Sequence, residues 1–494
     1  MRKYIFALFC GLIFPLGFAP FDFWPLTILS LSLILYLVNE TGVNRTFIVG
    51  LFYGIGLWGL GISWVYVSIH YHGNQGFISS LFLTSAFILC LSVFTGLVFF
   101  LCKKLKTNHE ALDYLLVFPV IWVSIEIIRS YVFTGFPWLI VGTSLAGTPV
   151  GGWIPIIGSY GVSILVLMIS GSLVLISSNK KMNLSPALIV IIILISSFSL
   201  NKISWTKEIS KIHASVYQPN ITLEEKWSSE GVRHTMTMIN NSVSEAIEGE
   251  FIFFPETAII FDKEELEPWI SDIEKRADLK NVSLISGIIA RDPRNPDSIE
   301  RYNRIQGFGA TNGYYDKVKL VPFGEFIPLR GYFGKIFDIL GIKLTNTLPG
   351  EVYSLLKANN INISASICYE IAFNELVRKT AKFSNLLVTI SNDTWFGDSI
   401  GPEQHLEIAQ SRAQEHQKSL IRATNSGISA IIDKNGIVVQ RQGFFENKQI
   451  KDKVKILEGN TPFSFFGNYI VFSYIILIYM YLFGYKRTNV LNSE

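Results

Sequence analysis

The stretch ISASICYEIAF, residues 363–373, places a cysteine after an apolar run and follows it with tyrosine and glutamate. A cysteine becomes a strong nucleophile when a nearby base takes its proton. Free cysteine is also among the residue types most often buried for packing alone. Cys368 is therefore either a catalytic nucleophile or a structural residue, and its neighbours in space must distinguish the two.

A carboxylate occupies a similar position in FIFFPETA, residues 251–258, where four apolar residues and a proline precede Glu256. Such a segment could deliver a general base to the end of a strand. The alternative is a loop carboxylate that caps the following helix.

The third candidate is a lysine in GYYDKVKLVPFGEFIP, residues 313–328. An ammonium group held there could oppose the oxyanion that forms when a carbonyl is attacked. Lys317 and Lys319 are two residues apart and would face the same side of a strand, so spacing alone leaves both open. Either could instead be a solvated lysine.

These candidates must be positioned by strand-like runs, which helical patterns at 229–248, 263–280, 371–382 and 402–423 separate. Strands that alternate with helices predict a layered α/β domain, in which strand ends present reactive groups. The runs are IHASVYQ, EFIFFPE, SLISGII, NRIQGFGA, INISASI, NLLVTISND and GISAIID.

The remainder of the chain has the composition of a membrane protein. Of 494 residues, 49% are hydrophobic and 16% are charged, and the mean hydropathy is +0.37. The net charge of +3 is too small and dispersed for a nucleic-acid partner. A bilayer crossing needs roughly 20 residues. Eight apolar stretches approach that length, near 4–20, 22–38, 46–69, 77–102, 113–131, 160–178, 184–201 and 468–485.

Loop charges predict the orientation of these spans. The loops at 70–76 and 132–159 carry no lysine or arginine, whereas the loops on the other side are basic. Basic loops stay in the cytoplasm, so both termini are predicted to be cytoplasmic and the segment from about 202 to 467 to be exported. The basic residues are Arg2, Lys3, Arg45, Lys103, Lys104, Lys106, Lys180, Lys181, Lys486 and Arg487.

Together, FFPET, YYDKVKLVPFGE and ICYE resemble the three catalytic motifs of the nitrilase superfamily of carbon-nitrogen hydrolases. The likeness covers roughly residues 212–458 and implies an α-β-β-α sandwich. It implies that Glu256 is the general base and that Cys368 is the nucleophile. It also implies that Lys317, rather than Lys319, stabilises the tetrahedral intermediate.

The flanking spans make the whole chain similar to the apolipoprotein N-acyltransferase family. The resemblance implies a membrane domain of seven transmembrane helices at 1–205, a periplasmic nitrilase-like domain at 206–460, and a last transmembrane helix with a short cytoplasmic tail at 461–494. Further family-like pieces are PFDFWP at 20–25, FTGFPW at 133–138, EEKW at 224–227, LVPFGEFIPL at 320–329 and SNDTWFGDSIGPEQH at 391–405.

The same resemblance implies roles for five more residues. Glu325 and Glu370 would be supporting carboxylates, and Tyr369 would help to orient the intermediate. Trp227 and Trp395 would bind substrate from mobile arms, although a tryptophan in a membrane protein is also often an interfacial anchor.

The family resemblance implies the last step of bacterial lipoprotein maturation at the inner membrane. An acyl chain would pass from a phospholipid, through a thioester on Cys368, to the α-amino group of an S-diacylglyceryl cysteine. The implied partners are a phospholipid acyl donor, a diacylglyceryl-apolipoprotein acceptor and membrane lipid. No cofactor is expected, and the HYHG loop at 70–73 has no accompanying carboxylate that would predict a metal site.

Other interpretations stay open on the sequence alone. A membrane-tethered amidase or nitrilase would need the same three residues but no lipid. A transporter would need polar or helix-breaking residues in paired spans near the bilayer centre, and only Glu126 comes close. Glu126 and Arg129 could instead satisfy each other on one helix face, in a structural or headgroup-contacting role.

The apolar loop at 133–161 is rich in glycine and proline. Irregular backbone cannot lie exposed in the hydrocarbon, so the loop must lie at the interface or against protein. It could be a linker with interfacial aromatic residues or a platform that receives a lipid tail.

Overall fold

The computed structural model describes residues 1–73, 75–178, 184–295, 298–326 and 347–491. The chain folds into two units, each with its own packed interior. The first comprises Met1–Ile203, Ser399–Glu407 and Phe466–Glu494, and the second comprises Ser204–Asp398 and Ile408–Phe465. Of the features above, Lys180, Lys181, the end of the LVPFGEFIPL motif at 327–329, and the side chains of Lys486 and Arg487 lie outside the described residues.

The first unit consists of apolar helices. Helices α1 and α2 both pack on α3, α3 packs on α4, and α6 packs on α2, α5 and α7. The two helices near the N-terminus are therefore separate elements that form a hairpin. The helices of this unit are α1 (Arg2–Ile13), α2 (Pro25–Asn39), α3 (Val43–Gly61), α4 (Phe77–Lys104), α5 (Phe118–Arg129), α6 (Ile154–Ser178), α7 (Ser185–Leu200) and α12 (Tyr469–Leu491).

Three described helical stretches are long and apolar enough to cross a membrane: Phe77–Lys104, Glu110–Arg129 and Ile154–Ser178. A fourth is possible if the pair Arg45–Gly61 and Trp64–His72, bent by 57°, forms one span. The helices Pro25–Asn39, Ser185–Leu200 and Tyr469–Tyr485 are apolar but shorter than the roughly 20 residues of a full crossing. The helical membrane character is thus confirmed, whereas the total of eight crossings stays a prediction.

The glycine- and proline-rich loop packs against protein over much of its length. Residues 137–146 are buried, and Trp138 is only 1% exposed. The Trp138 indole Nε1 donates to Gln404 Oε1 at 2.6 Å. Phe133, at the start of the loop, is exposed. The loop therefore satisfies the requirement that irregular backbone in a membrane protein be covered.

Glu126 and Arg129 of α5 are both buried and fasten the same loop to the helix. Glu126 Oε1 accepts a hydrogen bond of 3.0 Å from the amide of Val141. The Arg129 guanidinium donates to the carbonyl oxygen of Phe136 and lies 4.7 Å from the ring centroid of Trp58. These contacts favour a structural role for the pair over a transport role.

The second unit contains two sheets, each of seven strands among the described residues. The first sheet has the order β14-β1-β2-β3-β4-β6, with β7 paired to β4, and the second has the order β13-β12-β11-β10-β9-β8-β5. The strands are β1 (Thr206–Gln218), β2 (Phe251–Phe253), β3 (Ser283–Arg291), β4 (Arg301–Gly309), β5 (Thr311–Asn312), β6 (Tyr314–Asp316), β7 (Thr347–Leu348), β8 (Leu355–Ala358), β9 (Ile361–Ile367), β10 (Leu386–Ser391), β11 (Leu420–Thr424), β12 (Ala430–Ile432), β13 (Val438–Arg441) and β14 (Lys448–Gly459).

The two sheets face each other across one apolar core. Val216 and Phe253 of the first sheet and Ile367 and Ile390 of the second belong to this core and are fully buried. Alternating side chains make this possible, because every second residue of a strand points to the same face.

Helices cover the outer faces of the sheets. Helices α8 (Ser229–Glu245) and α9 (Glu267–Leu279) share a second apolar core with β2, β3 and β4, and helix α10 (Asn374–Ala381) packs on β9. The expected α-β-β-α sandwich is therefore confirmed.

The predicted C-terminal end of one helix is wrong. The pattern at 402–423 predicts a single helix, but α11 (Gly401–His416) stops at His416, and Leu420–Thr424 forms β11. Strand β11 lies between β10 and β12 and is buried throughout. Pairing on both edges overrides the local helical pattern, because strand preference depends on the surrounding sheet.

Candidate active site

The three residues with candidate chemistry all follow strand ends. Cys368 comes directly after β9, Lys317 comes directly after β6, and Glu256 lies three residues beyond β2. Cys368 has a φ of +53°, which few residues other than glycine adopt. Such a conformation persists only where the surroundings enforce it, and it is common at functional sites.

Lys317 lies between two carboxylates. Its side chain is 1% exposed, and its Nζ is 2.8 Å from Glu325 Oε1 and 3.5 Å from Glu256 Oε1. Burial by itself would lower the pKa of this lysine, but the charges of Glu325 and Glu256 outweigh burial and raise the pKa above its ordinary value. The site therefore holds a permanent buried positive charge.

Glu256 is held by donors from two other segments. Its Oε1 accepts from Asn303 Nδ2 at 2.6 Å, and its Oε2 accepts from the backbone amide of Asn392 at 2.7 Å. The residue is 6% exposed, and its carboxyl group is fixed in position beside Lys317. A preorganised carboxylate of this kind is suited to general-base chemistry.

Cys368 is electrostatically coupled to both of these residues. Burial, followed by the negative charge of Glu256, raises the pKa of the Cys368 thiol to about 12, and the positive charge of Lys317 opposes this. The resting residue is therefore a protonated thiol at neutral pH. For Cys368 to act as a nucleophile, a base must first remove the thiol proton, because the thiolate is the reactive form.

Glu370 connects the cysteine turn to the lysine segment. Its carboxyl group is fully buried, and Oε2 accepts from the amide of Ile367 at 2.8 Å. Oε1 accepts from the Tyr315 hydroxyl at 2.9 Å, the Val318 amide at 2.7 Å and the Lys319 amide at 2.9 Å. Burial raises the pKa of Glu370 to about 7, although these hydrogen bonds act in the opposite direction. The arrangement fits a supporting carboxylate.

Glu325 stabilises the loop that covers the lysine. While its Oε1 contacts Lys317, its Oε2 accepts from the amide of Val321 at 2.7 Å. Between these residues, Phe323 has a φ of +63° and is 56% exposed. Glu325 thus holds a strained loop whose apolar side chain projects outward.

Lys319 and Tyr369 lie together on the aromatic ring of Phe373. Lys319 Nζ is 4.9 Å from that ring centroid, and the Tyr369 ring meets it edge-on at 5.1 Å. The structure thus distinguishes the two lysines, which spacing alone could not do. Lys317 contacts the two carboxylates, whereas Lys319 lies on the Phe373 ring.

Trp227 and Trp395 are 63% and 43% exposed. Each follows closely after a residue that is bonded to Glu256. Trp227 follows Lys226, whose Nζ donates to the Glu256 carbonyl oxygen at 3.1 Å, and Trp395 lies three residues after Asn392.

Sequence reasoning missed several of these residues, including Lys226, Asn303 and Asn392. Lys226 is 9% exposed, and burial lowers its pKa to about 8. Asn303 stands in the strand-like run NRIQGFGA, and a buried amide within such a run is a signal of its own. Asn392 acts through its backbone amide, which no sequence pattern indicates.

Comparisons with known proteins agree with this architecture. Residues 10–172 match the family model described as apolipoprotein N-acyltransferase N-terminal domain, and residues 213–454 match the model described as carbon-nitrogen hydrolase.

Curated relatives are similar over nearly the entire chain. A protein named apolipoprotein N-acyltransferase from Photobacterium profundum is 32% identical, over 96% of this chain and 93% of the relative. Proteins of the same name from Pseudomonas aeruginosa and Pasteurella multocida are also 32% identical, over 93% and 97% of this chain and 91% and 95% of the relatives.

Among solved structures, Saccharomyces cerevisiae Nit3, a member of branch 10 of the nitrilase superfamily, aligns with a TM-score of 0.39 and 18% identity. The alignment covers 51% of this chain and 93% of that protein.

Proposed function

Because the chain belongs to the apolipoprotein N-acyltransferase family, we propose that it transfers an acyl chain from a membrane glycerophospholipid to the N-terminal S-diacylglyceryl cysteine of apolipoproteins. The acceptor atom is the α-amino nitrogen of that cysteine. The observation that carries the proposal is the match of both the helical region and the hydrolase-like unit to relatives of that name over almost the whole chain.

In the first half-reaction, Glu256 removes the proton of the Cys368 thiol as the sulfur attacks the ester carbonyl of the phospholipid. Lys317 donates to the carbonyl oxygen while that oxygen gains negative charge. The ester C–O bond then breaks, and the proton on Glu256 passes to the leaving glycerol oxygen. A lysophospholipid departs, and the acyl chain remains on sulfur as a thioester.

In the second half-reaction, the α-amino group attacks the thioester carbonyl and gives its proton to Glu256. Lys317 again faces the oxyanion. The C–S bond breaks, and the proton on Glu256 returns to the sulfur. The products are an amide-linked acyl chain and the free thiol, so the two substrates are used in turn by a ping-pong mechanism.

The supporting residues hold the catalytic side chains in position. Glu325 positions Lys317, and Glu370 holds the cysteine turn to the lysine segment. Tyr369 helps to orient the intermediate. The exposed rings of Trp227 and Trp395 contact the lipid substrates, which present long apolar chains.

The proposed location is the bacterial inner membrane, with the hydrolase-like domain in the periplasm and both termini in the cytoplasm. The absence of lysine and arginine from the loops at 70–76 and 132–159 supports this orientation. The proposed domain limits are 1–205, 206–460 and 461–494.

The decisive experiment follows the acyl group. The full-length protein is incubated with a phospholipid that carries a labelled acyl chain, and the label is sought as a hydroxylamine-sensitive adduct on Cys368. Addition of a diacylglyceryl peptide should then move the label to the peptide as a hydroxylamine-resistant amide.

Two cysteine variants control this experiment. Cys368→Ala should acquire no label, whereas Cys90→Ala, which changes an exposed cysteine in helix α4, should be labelled like the parent. Label that remains on Cys368→Ala would refute the proposed nucleophile. A membrane-tethered amidase is the second candidate, and it would release ammonia from small amides without any lipid.

A further inference from the structure

A series of buried, hydrogen-bonded polar side chains lies beside Cys368, on β10, on β11 and in the turn after β10. Ser391 neighbours Cys368 in the sheet, and its hydroxyl acts to lower the pKa of the Cys368 thiol. The Ser391 hydroxyl donates to Asp393 Oδ1 at 2.5 Å, and Asp393 Oδ2 accepts from the Arg422 guanidinium. The exposed fractions of Ser391, Asp393 and Arg422 are 0%, 2% and 0%.

Strand pairing places these polar side chains beside Cys368. Strands β9 and β10 are parallel, with Ile367 opposite Ile390. Cys368 directly follows Ile367, and Ser391 directly follows Ile390 as the last residue of β10. Strand β11 continues the sheet, with Ser391 opposite Thr424. Arg422 also donates from Nε to the carbonyl oxygen of Ile428 at 3.1 Å, which fixes the guanidinium in place.

The same turn also touches the candidate base. Asn392, between Ser391 and Asp393, donates its amide to Glu256 Oε2. Thr394 donates to Asn392 Oδ1 and bonds to the Ser426 hydroxyl, each at 2.7 Å. The turn therefore has a fixed position relative to both Cys368 and Glu256.

From these contacts we infer that Ser391 is a positioning residue for the sulfur, a hydroxyl that turns from Asp393 to Cys368 whenever the sulfur becomes a thiolate. The inference rests on the proposed function and deepens it. A hydroxyl carries a single proton and can donate to only one acceptor at a time. Asp393 receives that proton in the resting state and keeps Arg422 as its partner when the hydroxyl turns away.

This reorientation of the Ser391 hydroxyl, the hydroxyl switch, would occur twice in one catalytic cycle. Negative charge forms on sulfur when Glu256 takes the thiol proton, and again when the C–S bond of the thioester breaks. In both cases the Ser391 O–H donates to the charged sulfur without losing its proton to it. Between these events the sulfur is part of a neutral thioester, and the hydroxyl returns to Asp393.

The charges around the sulfur predict opposite effects of two substitutions. Glu256, Lys317 and Asp393 are charged groups that act on the Cys368 thiol, and Asp393 raises its pKa while the Ser391 hydroxyl lowers it. Ser391→Ala should therefore raise the thiol pKa, and Asp393→Asn should lower it.

The experiment measures the rate of Cys368 alkylation by iodoacetamide between pH 7 and 9 in the full-length protein. The other three cysteines are replaced by alanine in every variant. In this range the rate follows the thiolate fraction, so one pKa unit changes it about tenfold. Ser391→Ala should alkylate about tenfold more slowly than its parent, because a hydrogen bond to a charged sulfur is lost. Asp393→Asn should alkylate faster.

Ser366→Ala is the matched control. Ser366 is also buried and lies on β9 two residues before Cys368, and its hydroxyl makes a long contact of 3.5 Å to the carbonyl oxygen of Val388. It should alkylate at the parent rate. Thermal unfolding of each variant establishes that the protein compared is folded.

Ser391→Ala that alkylates at the parent rate would overturn the inference, as would Asp393→Asn that alkylates more slowly than the parent. If Asp393→Asn does not fold, Ser391→Ala decides alone, since it leaves the Asp393–Arg422 pair intact.

Acyl transfer is measured separately, and Ser391→Ala should slow both labelling by phospholipid and release to the diacylglyceryl peptide by about tenfold. Parent protein that alkylates as expected but transfers no acyl chain would refute the proposed function and not the hydroxyl switch.

Discussion

Two regions of the molecule bury an acid and a base, and their hydrogen-bond partners differ. In the helical unit, Glu126 and Arg129 bond mainly to backbone groups, the Val141 amide and the Phe136 carbonyl oxygen, and Glu126 also accepts from the Trp122 indole. In the α/β unit, Lys317 bonds to two carboxylates beside a thiol.

This difference in hydrogen-bond partners indicates what the buried charges do in the helical unit and in the α/β unit. Charges bonded to the backbone stabilise a loop, because leaving a buried amide or carbonyl group without a partner costs roughly 1–3 kcal/mol. Charges bonded to one another at strand ends set the protonation state of their neighbours, which is a requirement of catalysis.

The largest expected effect comes from Glu256→Gln. Turnover should fall by a factor of about 10²–10⁴, because the proposed general base is lost. Alkylation of Cys368 should nevertheless become faster, since the negative charge that raises the thiol pKa is removed. Acyl-transfer assays and iodoacetamide kinetics on the same preparation check both parts. Slower alkylation together with slower turnover would indicate a distorted site instead.

Lys317→Met should reduce turnover by roughly a hundredfold or more, as expected for the loss of an oxyanion donor. Its effect on the thiol should be opposite to that of Glu256→Gln, because Lys317 lowers the pKa of Cys368. Alkylation should therefore slow. Lys319→Met is the matched control, since that side chain lies on the Phe373 ring, and it should retain most of the activity.

The pH dependence of alkylation tests the electrostatics of the unmodified site. The thiol pKa is raised from 9.0 to about 12, so the protonated form predominates throughout the neutral range. The alkylation rate should rise about tenfold per pH unit from pH 7 to pH 10 without levelling. A plateau near pH 9 would mean that the thiol has an ordinary pKa.

The smallest effect on activity is expected in the helical unit. Glu126→Leu removes the acceptor of the Val141 amide and of the Trp122 indole, and should lower the free energy of unfolding by about 1–3 kcal/mol. The acyl-transfer rate per folded molecule should stay at the parent value. Thermal unfolding in detergent and single-turnover labelling measure the two quantities, and a loss of rate without a loss of stability would assign Glu126 a role in substrate binding.

Much of the architecture could be predicted because its signals are local. The apolar runs indicated the membrane helices, and alternating patterns indicated strands such as Ile361–Ile367. The end of helix α11 was mispredicted because β11 owes its conformation to the strands on either side of it. The sequence also left undecided which lysine meets the carboxylates.

By itself, the sequence determined that part of this protein lies in a membrane, that the rest is an α/β domain, and that a cysteine, a carboxylate and a lysine follow strand ends. Hydropathy and periodicity are properties of short segments, so they can be identified without knowledge of the fold. Only the tertiary structure decided the partners of those groups, including Asn303, the Asn392 amide and Ser391. Those contacts join residues as far as 136 positions apart, and strand pairing brings them together.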